Sequence, residues 1–430
     1  MGYLPDLDPR ILSLALARMV DAIANSFLVV VLPLYIGSQA VALPAFVGST
    51  VSVVGVPVSV STELLIGIVL SLFGFLNSLG QPFTGALSDR TGRRRAFLLF
   101  GLALVAVGSA GYVFLTDYVA VLAMRALQGV GAAFTVPVTV ALVNELSPSD
   151  ERGSNFGLFN TFRLLGFGTG PIVAGVVVAG GPYRLAGELV SGFEAAFLSA
   201  VAGAVIAFAL IGVLIEDPER AEGTAAEDIS IRVRGERGGL DPVFALGVAT
   251  VVMALSIAIY APLGNVINER LGQGSFLFSV QFGATVLANV VFQLPLGRLS
   301  DRYGRRPFLV AGFVLLIPTT LVQGFLTSST PMIAARFLQG VAVAAVFAPS
   351  LALAGDLAKE GTSGSTLSLL TMGFGLGVAF GTLLSGFLVG FGFAVPFVVA
   401  TAGGVVGLAL VVTQVTEPSP GAPGGAPADD

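Results

Sequence analysis

The sequence of 430 residues contains no cysteine, no histidine and no tryptophan, and its single lysine is Lys359. Without cysteine the chain cannot form disulfides, zinc–thiolate sites or iron–sulfur clusters, and without histidine it cannot build HExxH metal sites or Ser-His-Asp triads. Lys359 follows Asp356-Leu357-Ala358 rather than a glycine-rich loop, which excludes a Walker A nucleotide site in this sequence. We therefore expect no metal, no cofactor and no enzymatic activity.

Charged residues are also scarce. They make up 11% of the chain, against about 25% in soluble domains, while 55% of the residues are hydrophobic and the mean hydropathy is +0.91. The net charge of −5 argues against nucleic acid as a partner. This composition predicts an integral membrane protein that contacts the lipid bilayer.

Apolar runs long enough to cross a bilayer recur along the whole chain. A hydrocarbon core of about 30 Å needs about 20 apolar residues, and backbone in lipid must satisfy its own hydrogen bonds, which favours helices. The chain is therefore predicted to be an all-α integral membrane protein with twelve transmembrane helices. Their predicted ranges are 11–36, 64–87, 96–115, 119–142, 154–180, 193–215, 243–266, 276–299, 307–326, 331–354, 363–390 and 393–415.

A charged segment, 216–241, separates the sixth run from the seventh. We predict that it is a cytoplasmic linker between two six-helix bundles, 1–215 and 242–416. The Pro- and Gly-rich segment 417–430 is predicted to be a disordered tail.

The distribution of basic residues predicts the membrane orientation. If both termini are cytoplasmic, 15 of the 17 basic residues outside the helix interiors lie on the cytoplasmic side, and only Arg184 and Arg270 lie on the other. This bias agrees with the positive-inside rule. We expect a plasma-membrane protein with both termini in the cytoplasm, and we expect it to act as a monomer.

Three sequence elements occur twice at nearly the same separation. Residues Gly85–Arg94 (GALSDRTGRR) recur as Gly297–Arg306 (GRLSDRYGRR), 212 positions later. The element Arg-x-x-Gln-Gly at 125–129 recurs at 336–340, 211 positions later. Three glycines of the fifth run also recur after 211 positions, with Gly166, Gly170 and Gly175 matched by Gly377, Gly381 and Gly386. The chain is therefore predicted to contain two six-helix pseudo-repeats, as rocking-bundle transporters do.

These elements resemble signatures of the major facilitator superfamily (MFS). The G-x-x-x-D-R-x-G-R-R loop is similar to the superfamily's loop signature, and Arg-x-x-Gln-Gly is similar to its second motif. The pattern from Gly166 to Gly175 resembles its antiporter motif, with Ala174 where a glycine is typical. The resemblance covers residues 10–415 and implies the MFS fold and transport by alternating access.

The resemblance implies that the loop motif closes the cytoplasmic side in one state and releases it in the other. Its glycines would allow a neighbouring helix to approach closely, and its aspartates, at helix ends, would accept hydrogen bonds from arginines. The alternative is that the arginines only set the topology. The candidate gating residues are Gly85, Asp89, Arg90, Gly92, Arg93, Gly297, Asp301, Arg302, Gly304 and Arg305.

Charged residues inside the first run are candidates for proton coupling. Arg18, Asp21 and Asn25 lie three and four residues apart and share one helix face. A charge in mid-membrane costs about 2.5–3.5 kcal/mol on insertion scales, so such residues face a cavity or a partner. A carboxylate in a low-dielectric site tends to hold a proton unless it is paired. Asp21 is therefore the candidate proton carrier, with Arg18 or Arg125 as its countercharge, and a static salt bridge is the alternative.

Two further candidates follow from the fourth and fifth runs. Arg125 and Gln128 begin a polar face, and Arg163 adds another cation inside a predicted helix. By resemblance, Arg125 belongs to a motif associated with proton coupling in drug exporters. The alternative is an arginine that makes hydrogen bonds at a seam between helices.

The antiporter-type motif consists of Gly166, Gly170, Pro171 and Gly175. Proline lacks an N–H group and tends to kink a helix, while glycines permit tight packing. The resemblance implies a seal against leak, and the alternative is an ordinary packing seam.

These observations predict a secondary active transporter that exports small lipophilic compounds in exchange for protons. The predicted cavity is mostly apolar, with Ser256, Tyr260, Asn289 and Gln293 on the side of the second half, which suits lipophilic compounds, cations among them. One alternative is a proton-coupled symporter that imports a small metabolite. A membrane-embedded enzyme or sensor is the other, and the missing histidine, cysteine and P-loop weigh against it.

Overall fold

The computed structural model describes residues 9–38, 40–53, 56–147, 152–185, 187–217, 233–235, 239–357, 363–415 and 417. These residues contain twelve helical spans that are long and apolar enough to cross a membrane, as predicted. The helices are α1 (Pro9–Gly37), α2 (Thr62–Thr91), α3 (Arg94–Phe114), α4 (Tyr118–Leu146), α5 (Arg152–Gly180), α6 (Gly192–Leu214), α7 (Pro242–Ala258), α8 (Gly264–Leu271), α9 (Ser275–Tyr303), α10 (Arg305–Gln323), α11 (Ser329–Leu357), α12 (Ser363–Leu388) and α13 (Val395–Gln414).

The seventh span is interrupted. Helices α7 and α8 are joined by a 3₁₀ turn, Ala261–Leu263, which contains Pro262. Proline cannot donate the backbone hydrogen bond that a continuous α-helix needs at this position. The run predicted as one helix over 243–266 is therefore two helices.

Most of the predicted linker and tail lies outside the described residues. Of these two segments the structure includes 216–217, 233–235, 239–241 and Glu417. Lys359 also lies outside the described residues. The linker, the tail and the boundaries of the two predicted bundles therefore stay predictions.

Two short hairpins, which the sequence analysis did not predict, cover one end of the helices. Strands β1 (Thr50–Val53) and β2 (Val56–Ser59) pair between α1 and α2, and β3 (Tyr183–Leu185) pairs with β4 (Glu188–Val190) between α5 and α6. We call this side the hairpin end. The opposite side, where α6 ends and α7 begins, is the linker end.

Both halves of the chain pack in the same pattern. In the first half α1 packs on α5 and α6, while α4 packs on α2 and α3. In the second half α7 packs on α12 and α13, while α11 packs on α9 and α10. The repeated pattern agrees with the two pseudo-repeats predicted from the sequence.

The most extensive contacts between the halves are those of α2 with α12 and of α5 with α9. A Cβ atom added to Gly386 would lie 2.3 Å from the backbone oxygen of Glu63. A Cβ atom added to Gly175 would lie 2.4 Å from the Cβ atom of Ser279. Glu63 begins α2 and Ser279 lies in the second turn of α9, so these contacts lie at the hairpin end. A Cβ atom added to Gly375 would lie 2.1 Å from the hydroxyl oxygen of Ser78, so the tight contacts between the halves run from the hairpin end to the middle of α2 and α12.

Candidate functional site

Arg18 and Asp21 form an ion pair inside the first half. Nη1 of Arg18 donates to Oδ2 of Asp21 at 2.5 Å, and the two side chains are 13% and 15% exposed. With Thr135 and Thr139 of α4 the pair lines a cavity of about 20 Å³, large enough for one water molecule. Arg125 lies ten residues before Thr135, about 15 Å away along α4. The countercharge of Asp21 is therefore Arg18 and not Arg125.

Arg163 brings a second guanidinium to the same depth. Helices α1 and α5 run in parallel, and a Cβ atom on Gly166 would lie 2.4 Å from the backbone oxygen of Met19. Arg163, nearly one turn before Gly166, therefore lies at about the same depth as Arg18. Nε and Nη2 of Arg163 donate to Oδ1 of Asn160 at 3.0 and 2.8 Å. No acidic side chain among the described residues pairs with Arg163.

Asn25 lies one turn beyond Asp21 on the same face of α1. Its Oδ1 atom is buried and accepts no hydrogen bond. A buried acceptor without a donor costs about 1–3 kcal/mol, and such groups call for a functional or solvent partner. Asn25 therefore offers an acceptor to a ligand or a water molecule.

Arg125 and Gln128 belong to a separate network nearer the hairpin end. Nη1 of Arg125 donates to Oε1 of Gln128 at 3.0 Å, and Nε2 of Gln128 donates to the hydroxyl of Ser109 at 3.0 Å. The Tyr112 hydroxyl also donates to Oε1 of Gln128. Arg125 is 1% exposed, and its guanidinium lies 4.1 Å from the centre of the Phe73 ring. This network joins α4 to α2 and α3 and is closed to solvent.

The second half contains the same network. Nη1 of Arg336 donates to Oε1 of Gln339 at 2.6 Å, and Nε2 of Gln339 donates to the hydroxyl of Thr320 at 3.0 Å. Arg336 is 1% exposed and its guanidinium lies 4.1 Å from the centre of the Tyr260 ring. Tyr260, which the sequence analysis placed on the cavity, is fully buried and serves this network.

The site around Arg18 has no counterpart in the second half. Gly377 packs on the backbone oxygen of Val251 as Gly166 packs on that of Met19, so positions of α1 correspond to positions of α7 that come 232 residues later. A feature that the fold itself required would be expected in both halves. The residues at the corresponding positions are uncharged: Thr250 for Arg18, Met253 for Asp21, Ile257 for Asn25 and Phe374 for Arg163.

The ionic cluster of the first loop motif centres on Arg94 and not on Arg93. Nη1 of Arg94 donates to Oδ1 of Asp89 at 2.5 Å and to the hydroxyl of Ser88 at 3.1 Å. Its Nη2 donates to Oε1 of Glu145 at 2.5 Å. Arg93 is exposed, and its side chain makes no hydrogen bond with the described residues. The cluster thus joins the ends of α2, α3 and α4 within one half.

The second loop repeats this arrangement with Arg305, which pairs with Asp301 and Asp356. The second loop is one residue shorter, so that Arg305 corresponds to Arg94. The loop motif recurs after 212 residues, whereas the Arg-x-x-Gln-Gly element recurs after 211. With a separation of 211, Arg305 corresponds to Arg94 and Asp356 to Glu145, so this difference is the signal that could have identified Arg94 and its partner Glu145. Each cluster lies within one half, so neither forms a latch between the halves in this conformation.

The next arginine of each loop reaches the end of the last helix in its half. Arg95 donates to the backbone oxygen of Gly212, and Arg306 donates to that of Val412. The backbone N–H groups of the same arginines donate to acidic side chains at 2.7 and 2.8 Å. No sequence pattern indicates these two acceptors, Asp217 and Glu417.

The glycines of the loop motif differ in what they do. Gly92 ends α2 in the left-handed conformation, with φ of 64° and ψ of 9°, as glycine commonly ends helices. Gly304 ends α9 with φ of 97° and ψ of 144°, a positive φ that favours glycine. A Cβ atom on Gly85 or Gly297 would lie 3.6 or 3.8 Å from a neighbouring carbon, an ordinary contact. The close approach predicted at Gly85 and Gly297 is therefore absent in this conformation. Two of the candidate arginines lie exposed on the last turns of α2 and α9: Arg90 and Arg302.

The antiporter-type motif packs α5 against both halves. A Cβ atom on Gly170 would lie 2.0 Å from the Ser26 hydroxyl of α1, and Gly166 contacts α1 one turn earlier. Gly175 contacts α9 of the other half, and Pro171 is buried between these contacts. One face of α5 thus meets α1 and, further along, the second half.

Comparison with known proteins gives a family and a fold. The model of the Major Facilitator Superfamily matches residues 14–239 and 246–429. An uncharacterised MFS-type transporter of Methanocaldococcus jannaschii is 23% identical over 75% of this chain and 81% of its own. The multi-drug resistance efflux pump PmrA homolog of Lactococcus lactis is 23% identical over 70% of this chain and 73% of its own.

A solved structure shares the fold. It is that of a bacterial homolog of the human lysosomal transporter Spinster in an inward-facing, occupied conformation, and it matches with a TM-score of 0.71 at 12% identity over 94% of both chains. The family match covers nearly the whole sequence, and the twelve spans and repeated packing agree with it. The chain belongs to the major facilitator superfamily and is a multi-pass membrane transporter of small molecules, not an enzyme.

Proposed function

We propose that this transporter exports small lipophilic compounds across the plasma membrane in exchange for protons, with both termini in the cytoplasm. The observation that carries the proposal is the Arg18–Asp21 pair, a partly buried charged site that the fold does not require in its second half. The name of the Lactococcus lactis relative, a multi-drug efflux pump, supports export. The apolar composition of the spans suits lipophilic substrates.

In this proposal Asp21 carries the proton. Protonation of Asp21 removes the charge that holds Arg18, and a neighbouring water-sized cavity provides a place from which a proton can arrive. Asn25 supplies a free acceptor one turn away. The pair is therefore a two-state element whose arrangement depends on one proton.

The movement that accompanies protonation is a tilt of two bundles, 1–215 and 242–416, within a monomer. The tight contacts between the halves run from the hairpin end, which faces outward in the proposed orientation, to the middle of α2 and α12, and on this basis the described conformation is assigned as open to the cytoplasm. The clusters at Arg94 and Arg305 hold the cytoplasmic ends of each bundle together during the tilt. The networks at Arg125 and Arg336 brace each bundle near its other end. No part of this scheme requires nucleic acid.

The proposal is tested in proteoliposomes with an imposed pH gradient and a panel of lipophilic dyes and drugs. The unmodified protein should move at least one compound against its gradient when protons flow the other way, and Asp21→Asn should abolish this coupling. The matched control is Asp117→Asn, because Asp117 is an exposed N-cap residue and asparagine caps helices equally well. Unchanged coupled transport in Asp21→Asn would remove Asp21 from the mechanism. Movement of substrate together with protons would support the alternative, a symporter.

A further inference from the structure

The charges inside the membrane-spanning helices do not balance. Among the described spans, four arginines lie seven or more residues from either end of their helix, against one aspartate, Asp21. The other acidic residues of the spans, such as Glu63 and Glu145, lie in first or last turns. Unpaired charge is costly inside a membrane. The excess positive charge therefore needs an explanation. The four arginines are Arg18, Arg125, Arg163 and Arg336.

Three of these arginines are not available to a ligand. Arg18 is neutralised by Asp21. Arg125 and Arg336 are 1% exposed, lie over aromatic rings and occur as a repeated pair, so they are closed to any ligand. Arg163 differs from Arg18 because no acid pairs with it in the part of the chain that the structure describes. It differs from Arg125 and Arg336 because it is only partly buried.

The Arg163 side chain is partly buried, and one of its nitrogens has no partner among the described residues. Its Nε and Nη2 atoms donate to Asn160, while its Nη1 atom makes no hydrogen bond with the described residues. The Phe167 ring lies 5.9 Å from the guanidinium, one turn further along α5. Arginine binds carboxylates and sulfonates through directed N–H groups. The corresponding residue in the second half is Phe374, which shows that this fold accepts an uncharged residue at this position.

We propose that the transported compound carries an anionic group, a carboxylate or a sulfonate, which binds to Arg163 beside Arg18. Its apolar body lies along Phe167. This inference rests on the proposed function in one respect, that a small lipophilic compound is transported, and it holds for either direction of proton movement. It narrows the substrate class from lipophilic compounds in general to anionic ones. The two guanidiniums of Arg18 and Arg163 repel an ammonium group, and the one carboxylate nearby, that of Asp21, is already paired with Arg18.

The test uses three probes with the same naphthalene ring: a sulfonate, its neutral sulfonamide and a trimethylammonium derivative. Binding of each radiolabelled probe to the purified full-length protein is measured by equilibrium dialysis. We expect the sulfonate to bind at least about tenfold more tightly than the sulfonamide, as a hydrogen bond to a charged group provides. We expect the ammonium probe to bind more weakly than both. Because these measurements use the unmodified protein, they do not depend on the folding of any variant.

Variants then assign the preference to Arg163. Arg163→Gln should reduce sulfonate affinity about tenfold and leave sulfonamide affinity unchanged. Arg163→Lys should retain part of the preference, because it keeps the charge. The control is Arg184→Gln, the same substitution at an exposed residue of β3. Equal binding of all three probes, tighter binding of the ammonium probe, or full sulfonate affinity in Arg163→Gln would each overturn the inference.

The inference and the proposed function fail in different ways. If an imposed pH gradient drives transport of the ammonium probe but the sulfonate neither binds nor is transported, proton-coupled export stands and the anionic substrate class is wrong. If the sulfonate binds through Arg163 but no probe is moved by a pH gradient, the binding site stands and proton-coupled export is wrong.

Discussion

Replacement of Arg94 by glutamine should destabilise the protein more than the same replacement at Arg305, and replacement of Arg93 should have almost no effect. Arg94 is 10% exposed and contacts carboxylates that are 46% and 30% exposed, whereas Arg305 is 20% exposed and its carboxylates are 58% and 50% exposed. Exposed pairs contribute about 0–1 kcal/mol, and loss of one partner of a fully buried pair costs about 3–5 kcal/mol.

Interpolation between these limits gives an order-of-magnitude loss in the free energy of unfolding. We expect about 2 kcal/mol for Arg94→Gln, about 1 kcal/mol for Arg305→Gln and less than about 0.5 kcal/mol for Arg93→Gln. The measurement is titration of the purified protein from mild detergent into sodium dodecyl sulfate, followed by far-ultraviolet circular dichroism. A loss for Arg93→Gln that equals that for Arg94→Gln would refute the assignment of the cluster to Arg94.

Three other predictions concern the seam, the loop and the inner network. Gly386→Val should favour separation of the halves at the hairpin end, because the added Cβ atom would lie 2.3 Å from the backbone oxygen of Glu63. Separation would speed the labelling of a single cysteine introduced at position 63, and an unchanged labelling rate would contradict the prediction. Gly92→Ala should cost about 1 kcal/mol of unfolding free energy because its φ is 64°, while Gly85→Ala should be nearly neutral in the same titration. Arg125→Gln should lower stability but leave the ratio of protons to substrate unchanged in the transport that remains, and a changed ratio would place Arg125 in the coupling site.

The helices could be predicted because bilayer thickness and hydropathy act locally. The ends of the helices were predicted less well, because capping residues, and not hydropathy, determine where a helix begins and ends. The run predicted as 64–87 is α2 from Thr62 to Thr91, with Ser61 as its N-cap and Gly92 as its left-handed stop. The two hairpins were missed since short strands between spans leave no long apolar signal.

The site was predictable to the extent that its contacts are local. Arg18 and Asp21 are three residues apart on one helix, so their pairing follows from helix geometry. Arg94 and Glu145 are 51 residues apart and meet only when α3 packs on α4. The placement of Arg125 in a separate, sealed network likewise depends on the ring of Phe73 on another helix, which its sequence spacing does not indicate.

The most direct test of alternating access measures distances at both ends of the helices. The chain has no cysteine, so spin labels attach only at introduced cysteines. One pair, at Arg90 and Arg302, reports the linker end, and a second pair, at Leu189 and Phe276, reports the hairpin end; all four positions are exposed. In liposomes under an imposed pH gradient, we expect a population in which the distance at the hairpin end lengthens while that at the linker end shortens. If both distances stay the same with and without the gradient and substrate, the two halves do not tilt, and transport by alternating access of the two bundles is contradicted.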